Sequence, residues 1–295
     1  MIRVQKTTMK RTAITRRAFA RLSAFAFAAA ATRLQAKPLH LPIGLQLYSV
    51  RNLLPNDFDG TLAQVRAAGY TVVEAAGYFN RTAQQFRHSM DQAGLRCVST
   101  HHPLNLLETQ LDQLLDYAHT LGLEYMICSS SGGMHRDPNA KGAPTLDDWR
   151  WIAGEFNRIG EKVKSAGLTF GVHNHTPEFA TIDGTLVYDE LLRLTDPKFV
   201  VFEMDAGWVV ASGHDPVTWL RKDPQRFRLM HVKDMVKGAN GQMHATELGR
   251  GTIDYAPILR AATHLRYYFI EQEEFDIDPM QALRIDAEYM RKLSI

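Results

Sequence analysis

Cysteine is almost missing from this chain of 295 residues: Cys97 and Cys128 are the only two, too few for a disulfide framework. Both sit inside apolar runs, RCVST and YMICSS, where a free thiol packs as a small hydrophobe, so both are read as core. An oxidising compartment would still permit one bridge between them. No uninterrupted apolar run reaches the length of about 18 residues that a membrane span needs, so no stable membrane association is expected. No stretch rich in Pro, Gly or Ser divides the chain after its first 36 residues, which leaves one domain over 37–295. Acidic residues are absent from those first 36 positions, which carry eight Lys and Arg.

That leading segment, TRRAFARLSAFAFAAAATRLQA at its heart, has paired arginines (Arg16, Arg17), a modest apolar stretch from Leu22 to Ala31, and a small residue at Ala36. A basic region, a short apolar region and a small-residue cleavage site, in that order, are the layout of an export signal. The arginine pair resembles the twin-arginine signal. Residues 1–36 are therefore expected to be an export signal cleaved after Ala36, and the remainder a periplasmic protein. The alternative is an amphipathic, disordered or lipid-touching tail. Without the segment, 26 basic residues face 32 acidic ones, a net charge near −6. A net-acidic body has no electrostatic reason to follow a phosphate backbone, so no nucleic-acid partner is expected.

From Leu41 onward, short β-rich runs alternate with helical patterns. The runs are IGLQLYS, TVVEAAG, RCVSTHH, YMICSSS, TFGVHNH, FVVFEMDAG, RLMHVKD and YYFIEQEE. Most are continuously apolar, as expected for parallel strands covered on both faces. Between them, Phe86, Met90 and Ala93 recur at helical spacing, with Thr82 as cap and Gly94 as stop. Leu111, Leu114, Leu115 and Ala118 repeat the scheme before Gly122. Trp149, Ile152, Phe156, Ile159 and Val163 do so before Gly167. Eight strand–helix units predict an α/β fold, a (β/α)8 TIM barrel in a single domain. An open doubly wound sheet is the alternative; no Gly-x-Gly-x-x-Gly follows the first strand, which weakens its dinucleotide-binding version. Ser129 to Pro144 is the longest irregular stretch and a candidate lid.

In such a barrel the chemistry lies at the C-terminal strand ends. There the sequence gathers Gln46 and Tyr48, Glu74, His101 and His102, then His173, His175 and Glu178. Glu203 and Asp205, His231, Lys233 and Asp234, and Glu271 to Glu274 follow. Carboxylates with one or two imidazoles and no thiolate suit one divalent cation, Mn first among Mn, Mg, Co and Zn. Each group alone has a plainer reading, as a hydrogen-bonded core histidine or a solvated charge run.

Six segments, GLQLYSVR, HNHTPEF, MDAGW, HVKDM, LGRGTIDY and YFIEQEEF, together resemble the sugar phosphate isomerase/epimerase-like proteins. These are xylose-isomerase-like metal-dependent barrels, a group that also includes inosose dehydratases and apurinic endonucleases. The resemblance spans about residues 42–293. It implies one divalent metal held by Glu178, Asp205, His231 and Glu271. The fifth-strand ligand stays open, because better-known members carry a glutamate earlier on that strand, where this chain has His173 or His175. It also implies a small carbohydrate substrate, with Gln46, Tyr48, Glu74, His101, His173, Lys233 and Arg250 as binding residues; a homo-oligomer stays open.

A cation with open positions polarises a carbonyl and acidifies the adjacent C–H, and a base must take the proton. His175, His102 and Glu271 are the candidates, with His175 first. Proton return on the other face gives epimerisation, return one carbon along gives isomerisation, and loss of a β-substituent gives elimination. Export argues for a non-phosphorylated keto-sugar, with cleavage of a 3-keto-glycoside by the same site as the alternative. A non-catalytic sugar-binding barrel is the alternative of another class. An apurinic endonuclease would need more metals and a basic face.

Overall fold

In the computed structural model, residues 40–238 and 241–295 are described; the export signal expected over 1–36 lies outside them. Each predicted apolar run overlaps a strand: β1 Ile43–Gln46, β2 Val72–Ala76, β3 Arg96–Pro103, β4 Tyr125–Ser130, β5 Thr169–His173, β6 Val200–Asp205, β7 Phe227–Val232 and β8 Tyr267–Ile270. All neighbours pair parallel, and β8 pairs with β1, so the sheet closes on itself. Closure removes both edges and rules out the open doubly wound sheet.

Nine helices among the described residues surround the barrel: α1 Phe58–Ala68, α2 Ala83–Ala93, α3 Leu104–Leu121, α4 Leu146–Ser165, α5 Val187–Leu194, α6 Ala206–Ala211, α7 Pro216–Lys222, α8 Tyr255–Ala261 and α9 Pro279–Lys292. Local signals set their ends. Thr82 and Gln85 form a reciprocal capping box at the start of α2, and Gly94 ends it at φ +69°, a conformation that costs glycine little. Thr145 and Asp148 repeat the box at α4. Helix α3 begins well ahead of the Leu111–Ala118 pattern and bends at Gln110, whose φ of −133° leaves the helical range. Two short hairpins, Thr181–Ile182 with Thr185–Leu186 and Asp234–Lys237 with Met243–Thr246, add to the loops after β5 and β7; continuous-run reading does not foresee them.

The barrel interior has two contrasting levels. Side chains alternate across each strand, so inward positions follow every second residue. The lower level is apolar: Val72, Val98, Tyr125, Ile127, Leu229, Tyr267 and Phe269 form one buried cluster. Gly44 and Gly171 face the same interior, and a Cβ on either would stand 2.7 Å from Phe269 Cδ1 or 2.6 Å from Ile127 Cδ1. The larger neighbours fill that space. Burying a Leu or Phe in this way contributes about 1.5–3 kcal/mol.

Candidate functional site

One pleat above the apolar level, the same strands turn polar. Val72 is followed inward by Glu74, Val201 by Glu203 and then Asp205, Leu229 by His231, and Phe269 by Glu271. Glu74, Glu203, Asp205 and His231 are each fully buried. Register brings them together: Gln46 lies opposite Glu74, His173 opposite Glu203, and Asp205 opposite His231.

A bulge decides which histidine of β3 joins them. Val73 pairs with Cys97 but Glu74 pairs with Ser99, so Val98 is an extra residue. An extra residue exchanges the two faces of everything beyond it. His101 therefore enters the interior, with Nε2 2.9 Å from Glu74 Oε1 and 2.6 Å from Glu203 Oε2. His102 turns away, its Nε2 3.2 Å from the Tyr78 hydroxyl. The serine that the slip turns inward, Ser99, donates its hydroxyl to Glu74.

Asp205, His231 and Glu271 offer ligand atoms that lie within 4.8 Å of one another. His231 Nδ1 is 3.2 Å from Glu271 Oε2 and 3.9 Å from Asp205 Oδ2. Asp205 caps α6, its Oδ1 accepting from the Trp208 amide at 2.9 Å. Its Oδ2 is buried and makes no hydrogen bond among the described residues. Lys233 Nζ stands 3.1 Å from that oxygen as an ion-pair partner and 2.8 Å from Glu271 Oε2. It also pairs with Glu273 and lies 4.7 Å from the centre of the Trp208 ring. A buried carboxylate oxygen without a hydrogen bond, beside an imidazole and a second carboxylate, fits a divalent cation of the Mn, Mg, Co or Zn type.

The electrostatics follow from this crowding. Burial presses His231 towards neutrality, but Glu203 and Glu271 outweigh it and hold its pKa well above the ordinary value. Burial likewise works against the charge on Glu271, and Lys233 and His231 reverse it, holding the carboxyl well below the usual range. His175 has no such close partner; burial pushes it down to about 4, so it is neutral near pH 7. Burial, reinforced by the charge on His101, takes His102 down to about 4 as well.

Above the cluster opens a cavity of about 410 Å³, whose walls include Tyr48, His101, His102, His173, His175 and Glu271. Gln46 and Glu74 lie beneath it, joined by a 2.8 Å hydrogen bond. Two expected site residues are elsewhere. Glu178 lies outside the group around His231, because β5 ends at His173 and Glu178 falls in a 3-10 turn at Pro177–Phe179. Its carboxylate accepts from the His175 amide at 2.9 Å, and burial lifts its pKa to about 6. Arg250 is exposed and pairs with Glu247 at 3.1 Å; it is not among the residues that line the cavity.

The family model described as xylose isomerase-like TIM barrel matches residues 62–293. The chain belongs to this family. An inosose dehydratase of Lacticaseibacillus casei is 24% identical over 255 residues, 76% of this chain and 84% of that one. A sugar phosphate isomerase/epimerase of Parabacteroides distasonis superposes with a TM-score of 0.72 at 26% identity, covering 88% of this chain and 95% of its own. A 3-keto-D-glucoside 4-epimerase of E. coli superposes at 0.67 with 17% identity, over 86% of this chain and all of its own.

Within this xylose isomerase-like barrel, Glu203 is the central residue to which the sequence reading gave no role. Its signal was present: it stands two positions before Asp205, and strand alternation turns both inward. Trp208 and Ser99 gave no comparable signal, since one follows from the α6 turn and the other from the bulge.

Proposed function

We propose that this protein is a metal-dependent carbohydrate enzyme of the isomerase/epimerase type, acting on a non-phosphorylated keto-sugar by abstracting a proton beside a carbonyl. The observation that carries the reading is the convergence of Asp205, His231 and Glu271 within 4.8 Å, under a cavity of about 410 Å³. Two carboxylates and one imidazole favour Mn²⁺. A divalent cation bound there supplies Lewis acidity, polarising a carbonyl and acidifying its neighbouring C–H.

The chain's own groups would do the rest. His175, neutral on the cavity wall, takes the proton at its free ring nitrogen. His102, expected as a second acid/base, has its ring turned out of the interior with Nε2 tied to Tyr78, and is not placed to return it. Lys233 keeps Glu271 ionised. A second reading, β-elimination from a 3-keto-glycoside, draws support from the inosose dehydratase relatives, because loss of a β-substituent begins with the same proton abstraction.

The metal-loaded protein, incubated with free ketoses and 3-keto-glycosides in deuterated water, separates the two. Deuterium uptake without cleavage is expected for an isomerase or epimerase, and release of the aglycone for a lyase. A protein that binds these sugars and exchanges no C–H is the non-catalytic barrel. The preference for unphosphorylated sugars rests on export through Arg16 and Arg17. Lysine at both positions should abolish periplasmic accumulation; unchanged export would remove the twin-arginine assignment and that preference with it.

A further inference from the structure

A second convergence lies below the Asp205–His231–Glu271 group. His101, His173, Glu203 and His231 each present a ligand atom, and the four atoms lie within 4.8 Å of one another. Hydrogen bonding alone accounts poorly for their arrangement. His101 Nε2 is 2.6 Å from Glu203 Oε2 and 2.9 Å from Glu74 Oε1. His231 Nε2 is 2.8 Å from Glu74 Oε1 and 3.4 Å from Glu203 Oε2. A ring nitrogen carries at most one proton, and that proton can point along only one of the two lines. Glu203 Oε2 is also 3.2 Å from His173 Nδ1. Its other oxygen, Oε1, is buried with no hydrogen-bond partner among the described residues, a costly state for a charged group.

We propose that this lower group is a second divalent-cation site, formed by His101, His173, Glu203 and Nε2 of His231, with Glu74 beside it. Ligands about 2.0–2.1 Å from one tetrahedral ion stand about 3.3 Å apart; the contacts of Glu203 Oε2 with the three imidazoles run from 2.6 to 3.4 Å. A cation takes the lone pairs of the ring nitrogens instead of competing for their protons, and its two charges balance Glu74 and Glu203. Three imidazoles and one carboxylate favour Zn²⁺ or Co²⁺, whereas the upper group, richer in carboxylate, favours Mn²⁺ or Mg²⁺. His231 is the shared element, with Nε2 turned down and Nδ1 turned up towards Glu271. Filling both sites makes it a bridging imidazolate, its last ring proton leaving to solvent. The lower ion would fix the orientation of His231 for the upper one.

The test uses the full chain, stripped by chelation, loaded with Zn²⁺ and then Mn²⁺, and assayed for bound metal by mass spectrometry. The expected result is one Zn and one Mn per chain. Glu203→Gln, close to isosteric, should lose the Zn and keep the Mn, and Glu271→Gln should do the reverse. Wild-type crystals at the Zn edge, which depend on no variant, should show an anomalous peak in contact with both His101 Nε2 and Glu203. No such peak, or Zn retained in full by Glu203→Gln, overturns the proposal. Zn bound as expected without any Mn supports the lower site and overturns only the upper-site reading given above. A chain that binds neither ion overturns both.

Discussion

The lower and upper levels of the barrel interior are built by the same strands, two residues apart, and they do opposite things. Leu229 and Phe269 are fully buried in an apolar cluster and stabilise the fold through area removed from water. His231 and Glu271, one pleat further along, are as deeply placed among Glu74, Glu203, Asp205 and Lys233. Desolvating each of those charges costs several kcal/mol, offset only by close pairing. The upper level is therefore a poor way to stabilise a barrel and a good way to hold a cation. The strand pleat lets the two demands be met without compromise, because a residue two positions away faces the same interior with different chemistry.

Substitutions along one strand sharpen the contrast. Glu271→Gln should lower turnover by about a thousandfold or more, since it removes both a proposed ligand and a charge preorganised at the proposed reacting centre, while the melting temperature moves by only a few degrees. Loss of stability without loss of turnover would erase the distinction. On the opposite wall, His175→Ala should slow turnover by roughly a hundred- to ten-thousand-fold with metal content intact. If His175 only supports the ligands, metal affinity should instead fall by roughly ten- to a hundred-fold, with activity restored by excess metal.

Phe269→Ala addresses the lower level. It should cost about 3–5 kcal/mol, lowering the melting temperature by about 10 °C, with one upper-level cation still bound per folded chain; calorimetry with metal analysis reads both. The smallest effect is expected outside the barrel, at Asp286 of α9. Oδ1 of that carboxyl accepts from the Leu248 amide at 2.7 Å, and its buried Oδ2 makes no hydrogen bond among the described residues. Burial lifts its pKa to about 7. A carboxyl raised in the folded state binds its proton more tightly than in the unfolded chain. Its stabilising effect is then complete below about pH 4 and is lost as pH rises through 7. Asp286→Asn should thus match wild type near pH 4 and exceed it near pH 8 by on the order of 2–4 kcal/mol. Equal melting curves at pH 8 would show Asp286 to be ionised without cost.

The strands were legible because parallel strands covered on both faces read as continuous apolar runs, and helices such as α2 because Thr82 and Gly94 mark both ends. Asp205 and His231 were legible as ionisable residues at the ends of apolar runs, even though β6 and β7 slip by one residue between Phe202 and Glu203. What escaped the sequence was every departure from regularity. The bulge at Val98, which turns His101 inward and His102 outward, depends on how β2 and β3 slip past each other, and nothing in RCVST announces it. Glu178 looked equivalent to His173 because both belong to HNHTPEF and its flank. The strand stops at His173, and the 3-10 turn at Pro177–Phe179 commits the glutamate to a backbone amide.

Manganese titration followed by electron paramagnetic resonance tests the claim that the upper level is a cation site most directly, because it needs no knowledge of the substrate. The spectrum of free Mn²⁺ should stay suppressed until about one equivalent has been added to the wild-type chain. Asp205→Asn and Glu271→Gln should weaken that binding by at least about a hundredfold, whereas Phe269→Ala should leave it intact. Equal Mn²⁺ affinity in wild type, Asp205→Asn and Glu271→Gln would contradict the account.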